Sequence, residues 1–423
     1  MREDHVIARR EFLRAAAKLS AGASLALPLL GALSSCATPD PYPHAGDLRF
    51  PRPTDPVRWN LYPENPPIAS GRPIEKSGAL EIFSWDSYLS PPLIRQFASD
   101  LGVKVEVSTF ADMPEAISKL RAGAVHPDVF FPTLDVLGRM VAAELLQPIN
   151  HDYLSNFDNI WKSLRSPFYD LGSQYTVPYS VYSTGISWRN DLVHDDIPNM
   201  DNPWSIVADT RYRGHIYILQ DYREALGLML LEQGGDDLNT EDASLVTGAL
   251  ERLIEIGQQV NLKYSLDDYT LVAEGQAWIH QAWSGDMVTS PYYLPNTKGF
   301  DSIVAAAPVI SYWFPSDDRG EVTNDVMGIP RTAAHPVLAH TFIDYMLDPD
   351  NAQANFEWVG YQQPLDSLTL NTVVDTYPWL AEDNMKDCLV TKDAIANGYR
   401  SLELSPPADL LWQQAWLKFQ SYG

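Results

Sequence analysis

The feature that most constrains the fold is an alternation of short apolar runs with longer amphipathic segments after residue 79. A short apolar run between turn-forming residues is typical of a buried strand, whereas apolar residues three or four positions apart indicate a helix. Strand–helix alternation predicts an α/β fold, in which helices cover both faces of a parallel sheet. The strands are predicted at 80–83, 103–107 and 129–131, and the helices at 91–101, 112–120 and 134–145.

The same alternation resumes beyond residue 215 and predicts a second α/β unit. Two such units with a late return of the chain predict two lobes joined by crossover strands, with a ligand cleft between them. The first lobe is expected to comprise 78–182 and 322–365, and the second 183–321 and 366–423. Further strands are predicted at 216–219 and 277–282, and further helices at 223–233, 243–260, 337–347, 352–359 and 410–419.

The N-terminus carries the pattern of an export signal. Arg9 and Arg10 precede an apolar, small-residue stretch at 19–33, which ends in Leu-Ser-Ser before Cys36. This order resembles a twin-arginine signal followed by a lipobox. The apolar stretch is short for a membrane span. We therefore expect residues 1–36 to direct export, and Cys36 to carry a lipid that anchors the protein outside the cytoplasmic membrane.

Residues 37–77 are dense in proline, and such a segment stays extended and semi-rigid. A linker of this kind would hold the folded body away from the membrane. Trp59, Leu61 and Tyr62 are too apolar for a pure spacer, so part of the linker is expected to lie along the body.

Charge and cysteine content exclude several classes of protein. The chain has 30 basic and 55 acidic residues, a formal net charge of −25. Such a surface repels nucleic acid and favours cationic partners. The two cysteines are Cys36 and Cys388, so no internal disulfide is expected once Cys36 is lipidated.

Carboxylates and aromatic residues recur where the predicted strands end or begin. In open parallel sheets, ligands bind beyond the carboxyl ends of the strands. Carboxylates neutralise ammonium groups, and aromatic faces hold both the charge and the methylenes between charges. The pattern therefore predicts a site for an organic cation. The candidate residues are Trp85, Asp86, Tyr88, Thr133, Asp135, Asp221, Glu224, Trp283 and Asp325.

Most of these residues also have a purely structural interpretation, which the sequence leaves open. Asp221 and Glu224 fit a capping box for the helix that follows them. Trp85 and Trp283 would fit a core, and Asp325 would fit the cap of a turn. Asp135 and Asp286 would fit solvated loops.

Six short segments carry a specific resemblance, and they lie at 83–88, 128–133, 175–179, 221–224, 283–285 and 359–364. In their order and spacing, the chain from about 80 to about 401 resembles the spermidine/putrescine-binding proteins of bacterial ABC importers. The resemblance implies a two-lobed periplasmic binding protein with a hinged cleft. It also implies partners, namely a polyamine ligand, a membrane permease and a cytoplasmic ATPase.

The resemblance assigns roles to individual positions. Trp85 and Tyr88 would line the cleft from the first lobe, and Thr133 would touch the amine. Asp221 and Glu224 would be acidic ligands of the amine groups, and Trp283 would stack on the ligand. Asp325 would bind a terminal or secondary amine, and Tyr361 would line the cleft.

The chain departs from the family at several of these positions. The acid that usually stands just before the tyrosine of the first motif is replaced by Ser87, and Asp86 lies one position earlier. Asp135 replaces a tyrosine, and Ser401 replaces a cleft glutamine. Thr323 replaces a second stacking tryptophan, which favours a short diamine such as putrescine over spermidine.

Enzymatic motifs are absent from the sequence: it contains no G-x-S-x-G elbow, no H-E-x-x-H and no P-loop. We expect a monomeric binding protein without cofactor, metal or catalytic residues. His194-Asp195-Asp196 could suggest a metal, but an exposed loop fits it better. Tyr292-Tyr293 is the pair that a ferric-binding protein would use. The open alternatives are another small amine, a ferric or phosphonate ligand, and a sensory binding protein without a transport role.

Overall fold

The computed structural model describes residues 44–295 and 302–422. Over these residues the strands form one curled sheet. Its ten strands are β1 Ala79–Trp85, β2 Lys104–Phe110, β3 Val129–Phe130, β4 Leu146–Gln147, β5 Thr176–Arg189, β6 Ile216–Leu219, β7 Lys263–Ser265, β8 Ile279–Trp283, β9 Ile310–Trp313 and β10 Glu321–Pro330.

The order of the main path is β2-β1-β3-β10-β5-β8-β6-β7. At one end β1 pairs in parallel with β2 and β3, and at the other β6 pairs in parallel with β7 and β8. Between them, β5 and β10 run antiparallel to each other and to their neighbours. The predicted pattern is confirmed: two parallel α/β units are joined through a central pair of long strands.

Helices cover the sheet close to the positions expected from the sequence. They are α1 Pro91–Leu101, α2 Met113–Arg121, α3 Leu137–Ala142, α4 Tyr222–Glu232, α5 Ala243–Val260, α6 Asp268–Ala273, α7 Ser284–Thr289, α8 Ile303–Ala306, α9 Pro336–Met346, α10 Pro349–Val359, α11 Leu370–Val373, α12 Lys392–Asn397 and α13 Pro406–Gln420.

The prediction of a single helix at 134–145 is wrong. The segment divides into a 3-10 turn, Leu134–Val136, and the short helix α3. Glu144 adopts a left-handed conformation with φ of +50°, and the Leu145 N–H turns back to the Met140 carbonyl. A left-handed residue just after a helix ends it in this way.

The central strands also differ from the expectation. Asp325 was expected where a strand begins, but it lies within β10, and no strand was predicted over β5. Both strands are buried along nearly their whole length and mix serine, threonine and asparagine with apolar residues. They therefore show neither the alternation of a half-exposed strand nor a plain apolar run.

Two large apolar cores flank the central strands. Phe97 of α1 packs edge-on against Phe342 of α9, with ring centroids 5.3 Å apart. On the other side α4, α5 and α13 pack together around residues such as Leu226, Leu253 and Trp412. The central strands are thus held from both sides, which fixes the position of the side chains that they carry.

The proline-rich segment lies on the body over residues 44–77, so in this part it does not act as a free spacer. Trp59 is buried and donates from Nε1 to the Tyr169 carbonyl at 3.0 Å. Tyr62 is buried as well, whereas Leu61 is exposed. The earlier linker residues, the export signal and Cys36 lie outside the described residues.

Within the described ranges, no helix combines the length and apolar character that a bilayer span requires. Cys388 is buried and unpaired.

Candidate functional site

The site is organised by one row of side chains on the central strands. Alternate residues of a strand share a face, and residues paired across two strands project to the same side. Since Glu321 and Asp325 are four residues apart on β10, their Cα atoms are separated by about 13 Å at ~3.3 Å per residue. A β-bulge follows Asp325. The row consists of three cross-strand pairs: Asp325 with Ser180, Thr323 with Tyr182, and Glu321 with Thr184.

Asp325 lies at one end of the row and is only 5% exposed. Its carboxylate accepts from the Tyr88 hydroxyl at 2.7 Å and from the Tyr182 hydroxyl at 3.4 Å. Tyr88 also contacts the Ser180 hydroxyl at 2.5 Å. Burial raises the pKa of Asp325 to about 7, and the negative charge of Asp135 adds to this effect. An ammonium group placed here would favour the charged form.

Glu224, on the first turn of α4, lies near the other end of the row. Its Oε1 accepts from Trp283 Nε1 at 2.7 Å and from Thr184 Oγ1 at 3.1 Å. Burial raises the pKa of Glu224 well above its usual value, and the neighbouring Glu321 raises it further. Trp283 is thus held at the site by an acid and is not simply a core residue.

Glu321 was not predicted as a site residue, yet it is 3% exposed, and its Oε2 lies 3.7 Å from the place of a Cβ on Gly227, one turn beyond Glu224. The Ser401 hydroxyl donates to its Oε1. The one available signal was Ser401 itself, which stands where the family has a glutamine. A shorter side chain at that position leaves room for the Glu321 carboxyl.

Asp221 is the N-cap of α4, which confirms its capping interpretation. Its Oδ1 accepts from the backbone N–H groups of Arg223 at 2.8 Å and Glu224 at 3.1 Å. The reciprocal half of the capping box is not formed, because the Glu224 side chain turns to Trp283 instead. Burial raises the pKa of Asp221, although these two hydrogen bonds lower it.

Three tyrosines form an aromatic wall between the two acid positions. Tyr361 contacts Tyr88 and Tyr182 edge-on, with centroids 5.3 Å and 5.5 Å apart. Tyr182 also meets Trp283 edge-on at 6.5 Å. A Cβ on Gly285 would lie 2.7 Å from the Tyr361 ring, so glycine there is required for this packing. Tyr182 was missed from the sequence because it lies inside the unpredicted strand β5.

Trp85 and Thr133 each bring an unsatisfied polar atom. Trp85 ends β1 and packs edge-on against Phe110 at 4.6 Å. Its Nε1 and the Oγ1 of Thr133 are buried without a hydrogen-bond partner among the described residues. An unpartnered buried donor costs about 1–3 kcal/mol. The Thr133 hydroxyl can accept from an ammonium group of a ligand, whereas Trp85 Nε1 can only donate and needs an acceptor.

The remaining predicted acids occupy different environments. Asp86 is exposed, and its carboxylate accepts from the Ser87 hydroxyl at 3.2 Å. Asp135 is half-buried and close enough to raise the pKa of Asp325 and Asp221. Asp286 is not a solvated loop residue: burial raises its pKa to about 6, and its charge helps to raise the pKa of the fully buried Asp268.

Comparison with known proteins identifies the family. Residues 92–382 match the family described as bacterial extracellular solute-binding protein. This chain belongs to that family. It is 25% identical over 293 residues to the spermidine/putrescine-binding periplasmic protein of Escherichia coli, covering 69% of this chain and 78% of that protein. It is 23% identical to the putrescine/cadaverine-binding protein of Pseudomonas aeruginosa, covering 67% and 79%.

A solved structure of a putative spermidine/putrescine ABC transporter from Listeria monocytogenes superposes with a TM-score of 0.68. It is 24% identical and covers 82% of this chain and all of that chain. The predicted resemblance and the two-lobed solute-binding fold are thereby confirmed.

The residues whose types could suit a metal lie away from the row on β5 and β10. Ligand atoms of His44, Glu64 and Glu144 lie within 4.8 Å of one another, but Glu144 is also paired with Arg331. In the His194 loop, Asp195 accepts from Arg211 and Tyr212, so a metal is disfavoured there. Of the pair suggested for iron, Tyr292 is buried against Tyr377 and Trp379. None of these groups belongs to the row on β5 and β10.

Proposed function

We propose that this protein captures a polyamine, putrescine or spermidine, and delivers it to an ABC importer. The observation that carries the proposal is the row of buried carboxyl groups, Asp325 at one end and Glu224 with Glu321 at the other. Burying carboxylates is costly unless a cation is paired with them. A polyamine supplies such cations at intervals along one chain.

The cationic side chain of α4, Arg223, already has partners of its own. Arg223 is buried and donates to the Leu402 carbonyl at 2.9 Å and to Asn239 Oδ1 at 2.8 Å. Its guanidinium also stacks on Trp412, 4.9 Å from the ring centroid. Arg223 therefore lowers the local negative charge by one unit but is held away from Asp325.

The spaces between the acids suit methylene groups. Tyr88, Tyr182 and Tyr361 line one side, and Trp283 lies beyond them. Aromatic faces attract ammonium groups and pack against the apolar chain that links them. The names of the relatives support the same class of ligand.

Calorimetric titration tests the proposal directly. We expect putrescine or spermidine to bind, and 2-aminoethylphosphonate to bind weakly because its phosphonate would meet buried carboxylates. Asp325→Asn should weaken amine binding by about 1–3 kcal/mol, the range of a charge-assisted hydrogen bond. Asp158→Asn, an exposed change of the same charge, should leave it intact. Absence of binding by putrescine, spermidine and spermine alike would sink the polyamine assignment while leaving the family intact.

Closure of the two lobes is the proposed mode of capture. The lobes would comprise 78–182 with 322–365 and 183–321 with 366–423, and β5 and β10 would act as the hinge. Ligands that contact both lobes favour the closed form. Small-angle scattering should show compaction on adding the amine, and tryptophan fluorescence should change with it. An unchanged scattering profile at saturating amine would contradict this mode.

The proposed cellular location rests on the sequence. Export by the twin-arginine route and a lipid on Cys36 would place a monomer at the outer face of the membrane, beside a permease and its ATPase, with no enzymatic role. Cys36→Ala should release the protein from membranes on fractionation. Arg9→Lys with Arg10→Lys should block export. Wild-type behaviour of both variants would contradict the anchoring.

A further inference from the structure

We propose that Glu321 determines which polyamine is bound: it shares one proton with Glu224, and release of that proton provides the negative charge needed by a third ammonium group. This inference rests on the proposed function. It adds a residue that the sequence did not predict and a rule for choosing between diamines and triamines.

The geometry of the pair favours a shared proton. Glu224 and Glu321 are both nearly inaccessible. Thr184 donates to Glu224 at 3.1 Å and is paired with Glu321 across the strands, and a Cβ on Gly227, one turn beyond Glu224, would lie 3.7 Å from Glu321 Oε2. Two like charges buried this close repel each other, so one of the two carboxyl groups holds a proton, and the Glu321 carboxyl also accepts from Ser401.

The surrounding charges can be counted. Asp221 and Arg223 on α4 act on Glu321 with opposite signs, and they offset each other. Tyr182 on β5 and Tyr312 on β9 also act electrostatically with Glu224, but burial raises the pKa of both tyrosines, which keeps them neutral. The pair therefore carries one negative charge with its proton and two without it.

The opposite end of the row supplies one further charge when Asp325 is ionised. With the shared proton in place, the carboxyl groups of the row carry two negative charges, equal in number to the ammonium groups of a diamine. Asp135 acts on Asp325 from beside the row and contributes equally in both protonation states of the pair. A triamine brings a third positive charge that this arrangement leaves unmatched. When the pair releases its proton to solvent, the count becomes three.

The layout of the strand allows a longer ligand to reach both ends. Asp325 and Glu321 are about 13 Å apart along β10. The residue between them on the same face is Thr323, which has a small side chain and leaves the path open. Glu321 is thus placed where the far amine of a longer chain would lie.

The test compares putrescine with spermidine over a range of pH from about 6 to 8. Linkage requires that a ligand whose binding releases one additional proton gains about tenfold in affinity per pH unit over its competitor. In the wild type, the spermidine-to-putrescine affinity ratio should therefore rise with pH. In Glu321→Gln the amide donates permanently to Glu224 and holds the pair at one negative charge, so the ratio should stay flat and spermidine should lose at least tenfold at about pH 8.

Two controls accompany the test. Glu251→Gln removes an exposed glutamate of α5 and should retain the wild-type ratio. Ser401→Ala removes the donor to Glu321, which disfavours ionisation, so the rise in the ratio should move to higher pH.

Parallel pH dependences for the two amines in the wild type would overturn the inference, and so would a rising ratio that persists in Glu321→Gln. In either case amine binding itself would still support the proposed function. If neither amine binds at any pH, the proposed function fails and this inference falls with it.

Discussion

Two clusters of buried acids, similar in burial, differ in what accompanies them. One joins Glu403 and Asp409 near the C-terminus to Arg139 of α3, and the other is the row containing Asp325, Glu224 and Glu321. Burial raises the pKa of Glu403 to about 7, as it does for Asp325. Burial alone therefore does not distinguish the two clusters.

The Glu403 cluster contains its own cation. Arg139 Nε donates to Glu403 at 2.8 Å, and its Nη1 donates to Asp409 at 3.2 Å. The backbone N–H of Gly138 donates to Glu403 as well, at 2.6 Å. A carboxylate with a resident guanidinium and backbone donors serves the fold.

In the row on the central strands, tyrosine and tryptophan side chains donate hydrogen bonds to the carboxyl groups. The acids also lie next to other acids, without a cation between them among the described residues. Its charges are incompletely matched until a cation enters. The comparison teaches that the partner of a buried carboxylate, and not its burial, separates a structural acid from a binding acid.

The largest expected effect comes from breaking the matched cluster. Glu403→Ala should lower the free energy of unfolding by about 3–5 kcal/mol, because Arg139 and two backbone N–H groups lose a buried partner. Urea denaturation measures the change. Glu403→Gln keeps an acceptor and should lose less. If the free energy of unfolding of the alanine variant fell by less than about 1 kcal/mol, the Glu403 cluster would not be a structural cluster of the kind proposed.

The second effect should have the opposite sign. Since burial raises the pKa of Asp325 from 3.8 to about 7, its stabilising contribution is present below about pH 4 and is lost as pH rises through about 7. At pH 8, without amine, Asp325→Asn should therefore be more stable than the wild type by about 2–4 kcal/mol, at 1.36 kcal/mol per unit.

Melting temperatures at about pH 4 and 8, with and without putrescine, check this prediction. The gain should vanish at the lower pH, and putrescine should stabilise the wild type more than the variant. A variant that is destabilised at pH 8 would place Asp325 among the structural acids instead.

A smaller effect separates the two roles of Asp221. Asp221→Ala removes the cap of α4 and should cost about 0.5–2 kcal/mol in unfolding free energy, whereas Asp221→Asn retains the cap and should cost less. If Asp221 also binds the amine, Asp221→Asn should weaken affinity in calorimetry. A melting shift in the alanine variant, with unchanged affinity in both, would assign Asp221 to capping alone.

The smallest effect is expected at Asp86. Because its side chain is exposed, Asp86→Asn should change the free energy of unfolding by less than about 0.5 kcal/mol. Amine affinity should change little. A tenfold loss of affinity would show that Asp86 reaches the ligand, as its position after the first strand predicts from the sequence.

Sequence reasoning found mainly residues at the ends of regular elements, together with Asp325 inside β10. Trp85 and Trp283 end β1 and β8, and Asp221 precedes α4, so the strand and helix patterns on either side pointed to them. Tyr182 and Glu321 were missed. They lie on β5 and β10, where burial on both faces removes the periodic signal that marks most strands.

The sequence by itself determined the α/β architecture, the family and most of the acids and aromatics of the site, because these depend on local periodicity and on short motifs. Only the tertiary structure decided which acids share a proton and which have a cation. Glu321 and Glu224 lie on different elements, 97 positions apart in number, and it is the pairing of β5 with β10 and the packing of α4 that bring them together. A contact of this kind has no local signature, since it depends on long-range packing that the neighbouring residues do not encode.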